Sequence, residues 1–123
     1  MPLMRNTIVA LVDNDPCMLK ALHRLLIVHG FDVETYVSAE AFLNRSAANE
    51  VDCLILDINL DGMSGITLRQ QLATSGSDLP VVFMTAFDNE RTHQEAVSAG
   101  CIAYLLKPFP AASLLRAIEK AAA

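Results

Sequence analysis

Two hydrophobic patterns alternate along the chain. The first is the unbroken apolar run, seen at residues 7–12, 53–56 and 79–85. A run without polar interruption predicts a strand covered on both faces, as in a parallel sheet between helices. Pro80 is tolerable because it stands at the start of its run. Residues 31–36 form a weaker pattern, with Val33 and Thr35 alternating with Glu34 and Tyr36, which suits a strand at a sheet edge. A fifth strand is predicted at residues 102–106.

The second pattern is helical. Asp15-Pro16 has the chemistry of an N-cap and a first helical residue, and Leu19, Leu22, Leu25 and Leu26 follow at helical spacing up to Gly30. Ser38 caps a short helix through Ala41, Phe42 and Leu43, and a polar segment, 44–50, leads into the third strand. Ile66, Leu68 and Leu72 mark a third helix closed near Gly76. Asp88 or Asn89 caps a fourth, which runs to Gly100 and is loosely packed, its apolar residues being Ala96, Val97 and Ala99. Leu114, Leu115 and Ile118 mark the last. Strands and helices alternate strictly, and parallel crossovers are right-handed, so the expected fold is a single α/β domain over residues 1–123. Its doubly wound sheet has five strands, five helices and the three continuous runs in the middle.

Composition narrows the functional classes. A chain of 123 residues, 53% hydrophobic and 19% charged, supports one core and excludes disorder. The net charge of −5 argues against direct nucleic-acid binding through a basic face. The apolar runs are too short to span a membrane, and the N-terminus lacks a signal-peptide cleavage pattern. Cys17, Cys53 and Cys101 are odd in number and contain no CxxC pair, and Cys53 and Cys101 sit in apolar contexts. Buried free thiols in a reducing cytoplasm are expected.

The chemistry lies where strands end. The first run ends in Asp13-Asn14-Asp15, the third strand in Asp57, the fourth in Thr85 and the fifth in Lys107-Pro108. In a parallel sheet these ends share one edge, where open α/β sheets bind ligands. Carboxylates, a hydroxyl and an ammonium thus converge. Clustered carboxylates repel unless a cation joins them, and with oxygen ligands only the natural guest is Mg²⁺. A carboxylate in such surroundings can itself become the nucleophile and form an aspartyl phosphate.

Four segments together carry a family resemblance: Ile8 to Pro16, Leu54 to Gly65, Pro80 to Ala86 and Ala99 to Phe109. In that order and spacing, the chain resembles a response regulator receiver domain of two-component signalling over essentially its whole length. The resemblance implies a flavodoxin-like sheet of order 2-1-3-4-5. It implies Asp57 as phosphoacceptor, Asp13, Asn14, Asp57 and the Asn59 carbonyl around Mg²⁺, and Thr85 and Lys107 on the phosphoryl oxygens. It also implies Tyr104 as an aromatic whose rotation follows the Thr85 hydroxyl, although Tyr104 reads equally well as a packed ring, and a cis bond before Pro108.

Several residues depart from the family pattern. Asn14 stands where a second carboxylate is usual, which weakens Mg²⁺ binding. Asp61 replaces a frequent proline. Phe87 and Asn59 lie where side chains control water access and so phosphoryl lifetime.

The implied function is a phosphorylation-activated switch, cytoplasmic and not a turnover enzyme. A histidine kinase supplies the phosphoryl group, and an attached or separate output, such as transcription, is controlled. Phosphorylated copies would pair through the fourth helix, fifth strand and last helix. The Pro108-Phe109-Pro110 turn resembles receivers joined to helix-turn-helix outputs, and both a stand-alone receiver and a fragment remain open. Two other readings stand beside this one. In a degenerate receiver, Asn14 abolishes phosphorylation and leaves a constitutive interaction module. In a haloacid dehalogenase-like phosphohydrolase, Asp13-Asn14-Asp15 is a D-x-D motif and Asp13 the nucleophile, though no acidic pair follows Lys107.

Overall fold

The three continuous runs form the centre of a parallel sheet, because each alternates its side chains between two buried faces. In the computed structural model, which describes residues 6–45 and 50–122, β1 (Ile8–Val12), β3 (Cys53–Asp57) and β4 (Val81–Thr85) lie side by side. The edges are β2 (Asp32–Tyr36) and β5 (Ala103–Leu106), giving the order β2-β1-β3-β4-β5. All neighbouring strands pair in parallel. The doubly wound, five-stranded flavodoxin-like fold is thus observed.

Val9, Leu11, Cys53, Ile55, Val82 and Met84 face α1 (Pro16–Val28) and α5 (Ala111–Ala122), meeting Leu22, Leu26, Leu114 and Ile118. Ala10, Val12, Leu54, Leu56 and Phe83 face the other way. They meet α2 (Ala39–Leu43), α3 (Gly65–Thr74) and α4 (Glu90–Ala99) through Phe42, Ile66, Leu68 and Ala96. This period of two explains why the runs lack polar positions. Each large side chain so buried contributes about 1.5–3 kcal/mol.

The predicted caps are present. Asp15 Oδ1 accepts from the Cys17 and Met18 N–H groups, with Pro16 opening α1. Gly30 takes the left-handed conformation (φ 88°) that terminates α1. Ser38 caps α2, and of the two candidates for α4 it is Asn89 that accepts from Thr92 N–H, at 2.8 Å.

The alternating segment is the edge strand β2, as expected; Thr35 in it is exposed, and Tyr36 on the opposite face packs edge-on against Phe42. An edge strand has one side open, so its alternation does not report burial cleanly. The expectation of buried thiols needs correction at Cys17, which is exposed because it lies in the first turn of α1 beyond the sheet, whereas Cys53 is buried and Cys101 half-buried. All three are free thiols. Residues 1–5 and most of the polar segment 44–50 lie outside the described residues. Among the described residues, no helix is long and apolar enough to cross a membrane.

Candidate functional site

The carboxyl ends of β1, β3, β4 and β5 bring Asp13, Asp57, Thr85 and Lys107 together. Asp13 and Thr85 are fully buried and Asp57 is 5% exposed. Main-chain bonds set the frame. Asp13 N–H donates to Tyr36 O, Ile58 N–H to Met84 O, and Lys107 N–H to Thr85 O at 2.8 Å. The Lys107–Pro108 peptide is cis.

Lys107 is the hub. Its Nζ donates to Asp13 Oδ2 at 2.7 Å and to Asp57 Oδ2 at 2.8 Å, so one ammonium bridges two buried carboxylates. Their remaining oxygens accept from the main chain, Asp13 Oδ1 from Asp15 N–H at 2.9 Å and Asp57 Oδ1 from Asn59 N–H at 2.8 Å. Burial pushes the Asp57 carboxyl above its usual range and Asp13 adds to this, against the hydrogen bonds from Lys107 and Asn59. Burial alone would lower Lys107, but its bonds to Asp13 and Asp57 hold its pKa above the usual lysine value.

The loop after β3 completes the site. Asn59 Nδ2 donates to Thr85 Oγ1 at 2.7 Å, and Thr85 Oγ1 also accepts from Phe87 N–H at 3.0 Å. At the exposed mouth, Asn14 Nδ2 donates to Asp61 Oδ2 at 3.3 Å. Two of the departures from the family pattern therefore touch. Phe87 contributes only its main chain to Thr85; its side chain points outward and the residue is 67% exposed. Tyr104 stands apart from the carboxylates. Its ring stacks on His93 of α4 at 4.5 Å, and its hydroxyl donates to Asp88 Oδ1 at 3.3 Å.

Asp15 spends its Oδ1 capping α1, and its main-chain N–H rather than its carboxylate meets Asp13. Among the described residues, no three His, Cys, Asp or Glu side chains group as a metal site. The donors brought together here are the two carboxylates of Asp13 and Asp57, oxygen ligands that fit a hard cation retaining several waters.

Gly65 is a residue that sequence reading passed over. It opens α3 directly behind Asp57, and a Cβ there would lie 3.0 Å from both Asp57 C and Ile58 Cα and closer still to Asp57 O. Main chain cannot yield as a flexible side chain can. Gly65→Ala is expected to destabilise the protein by about 1–3 kcal/mol, as overpacking does. Urea unfolding checks this.

The profile of the response regulator receiver domain matches residues 9–119. The chain belongs to that family. It is 33% identical over 117 residues to the response regulator protein TodT of Pseudomonas putida, a match covering 95% of this chain and 52% of TodT. It is 32% identical to the transcriptional regulatory protein TdiR of Thauera aromatica, covering 94% of this chain and 51% of TdiR. This receiver domain thus spans about half the length of these curated relatives. The crystal structure of FixJ-N superposes with a TM-score of 0.88 at 30% identity, covering 97% of this chain and 95% of that one. Receiver domains are signalling switches of two-component systems rather than typical turnover enzymes, and they interact with histidine kinases.

Proposed function

We propose that the whole chain, residues 1–123, is a phosphorylation-activated switch whose phosphoacceptor is Asp57, working in the cytoplasm. The observation that carries this reading is the single ammonium of Lys107 held between two buried carboxylates at 2.7 and 2.8 Å. That arrangement leaves Asp57, whose side chain is 7% exposed, short of positive charge. A histidine kinase or small phosphodonor presents the phosphoryl group in line. A bond forms between an Asp57 carboxylate oxygen and phosphorus as the phosphorus–nitrogen bond of the phosphohistidine breaks. The imidazole leaves with that electron pair and takes a proton from solvent. Lys107 then turns from Asp57 Oδ2 to a phosphoryl oxygen, where its charge offsets what develops in transfer.

Asp13, Asp57, the Asn14 amide oxygen and the Asn59 carbonyl would hold Mg²⁺, which when bound neutralises charge on the phosphoryl oxygens. Thr85 would move onto the modified Asp57, and Tyr104 would turn into the space it leaves. The readout surface is α4, β5 and α5, where the apolar residues Val97 and Leu106 are 59% and 44% exposed. Exposed apolar side chains on these elements support pairing with a second copy. Kinship with TdiR, a transcriptional regulatory protein, supports transcription as the output.

The test is incubation with a small phosphodonor and Mg²⁺. One phosphoryl group per chain is expected, removed by hydroxylamine as an acyl phosphate must be. An adduct that resists hydroxylamine, or none, refutes the reading.

Asn14→Asp is a second measurement on the same site. A unit charge added about 4 Å from a divalent ion in water-like surroundings is worth about 1–2 kcal/mol. Mg²⁺ affinity is expected to rise roughly tenfold, measured by calorimetry, with detectable binding in the unaltered protein too. No binding by the unaltered protein would favour the constitutive module.

A further inference from the structure

The Thr85 hydroxyl is fully engaged by its neighbours. It belongs to a wholly buried residue, accepts from Asn59 Nδ2 at 2.7 Å and Phe87 N–H at 3.0 Å, and donates to Phe87 O at 3.3 Å. One donor and two lone pairs are all that a hydroxyl has. Asn59 at the same time holds Asp57 Oδ1 with its main-chain N–H at 2.8 Å. One residue therefore grips the nucleophile with its backbone and the switch hydroxyl with its side chain.

We propose that the Asn59 carboxamide is a latch that keeps Thr85 in the resting position and so sets how much unphosphorylated protein visits the signalling arrangement. This rests on the reading of Asp57 as phosphoacceptor and Thr85 as the group that follows it. For Thr85 to reach a phosphoryl group on Asp57, its oxygen must leave Asn59 Nδ2. A charged phosphoryl oxygen offers the Thr85 proton a stronger acceptor than the Phe87 carbonyl does. Phosphorylation thus supplies the drive and the Asn59 bond supplies the resistance. Asn59 is a positioning residue here, acting through Thr85. The latch is separate from any shielding of the phosphoryl group from water, because it acts when no phosphoryl group is present. The remaining Phe87 contacts keep Thr85 ordered without Asn59, so the latch biases an equilibrium rather than building the site.

The test combines Asn59→Ala with beryllofluoride, a phosphoryl mimic that does not turn over and so is blind to water attack. The substitution preserves the Asn59 carbonyl and N–H. In Asn59→Ala, the Thr85 methyl and Phe87 amide resonances of the unliganded protein should move along the line from resting toward beryllofluoride-bound positions. Beryllofluoride with Mg²⁺ should bind roughly two- to tenfold more tightly, the range for loss of one neutral hydrogen bond. The gain should persist in a Thr85→Ser background, which keeps the hydroxyl, and vanish in Thr85→Ala, which lacks it. The latch is refuted if the unaltered protein binds beryllofluoride but Asn59→Ala binds equally or less tightly. It is refuted equally if the resonances leave that line, or if the gain survives in Thr85→Ala. Failure of the unaltered protein to bind would instead overturn the phosphoacceptor reading itself.

Discussion

Asp57→Ala is expected to abolish phosphoryl uptake while making the folded protein more resistant to urea at neutral pH in Mg²⁺-free buffer. Loss of function and gain of stability share one cause. Asp13 and Asp57 are buried against a single ammonium, so the cluster carries one uncompensated negative charge. Alanine removes the nucleophile and leaves Lys107 paired one-to-one with Asp13.

The pH dependence fixes the sign. Burial raises the folded-state pKa of Asp57 above its unfolded value, so the folded chain holds that proton more tightly. The stability tied to it is fully present below the unfolded value, near 3.9, and is lost as pH rises through the folded value. The advantage of Asp57→Ala should therefore appear at neutral pH and shrink as pH falls toward the ordinary carboxylate range. Urea midpoints across that range measure it. Residual hydroxylamine-labile phosphate on Asp57→Ala would show that another residue is the acceptor.

How much of this was legible in the sequence follows from what periodicity reports. The apolar runs of β1, β3 and β4 have no polar member to misplace, so their central position and the shared edge of their ends followed directly. The helix caps at Asp15 and Ser38 were legible, and that of α4 was narrowed to Asp88 or Asn89, because capping needs only a residue type beside a periodic segment. Side-chain partners across loops have no such signal. Asn59 and Thr85 are separated by 26 positions and Asn14 and Asp61 by 47, and nothing local specifies that their amides would meet a hydroxyl and a carboxylate. Gly65 was passed over for the same reason, since what requires a glycine there is the Asp57 carbonyl behind it. Lys107 was placed at the site from the sequence, but its equal grip on Asp13 and Asp57 required the registry of three strands.

That grip makes Lys107→Met a strongly destabilising change. Methionine keeps the length of the stem and its packing but removes the charge, leaving two carboxylates with side chains 0% and 7% exposed and no cation between them. Breaking a buried ion pair from one side costs about 3–5 kcal/mol. The lysine side chain is 17% exposed and so partly screened by solvent, and about 2–3 kcal/mol is expected by urea unfolding at pH 7. Lys107 has a raised pKa in the folded state, so its contribution is complete below the unfolded value, near 10.4, and is lost as pH rises through the folded one. The gap between the two proteins should close in strong alkali for that reason. It should also close toward acid, where the carboxylates protonate. Mg²⁺ gives the sharper check, because an ion that binds only the folded state stabilises it by mass action. With two unpaired carboxylates waiting, Lys107→Met should gain more from millimolar Mg²⁺ than the unaltered protein does. Equal gains, or none, would mean that the ion does not lie against Asp13 and Asp57.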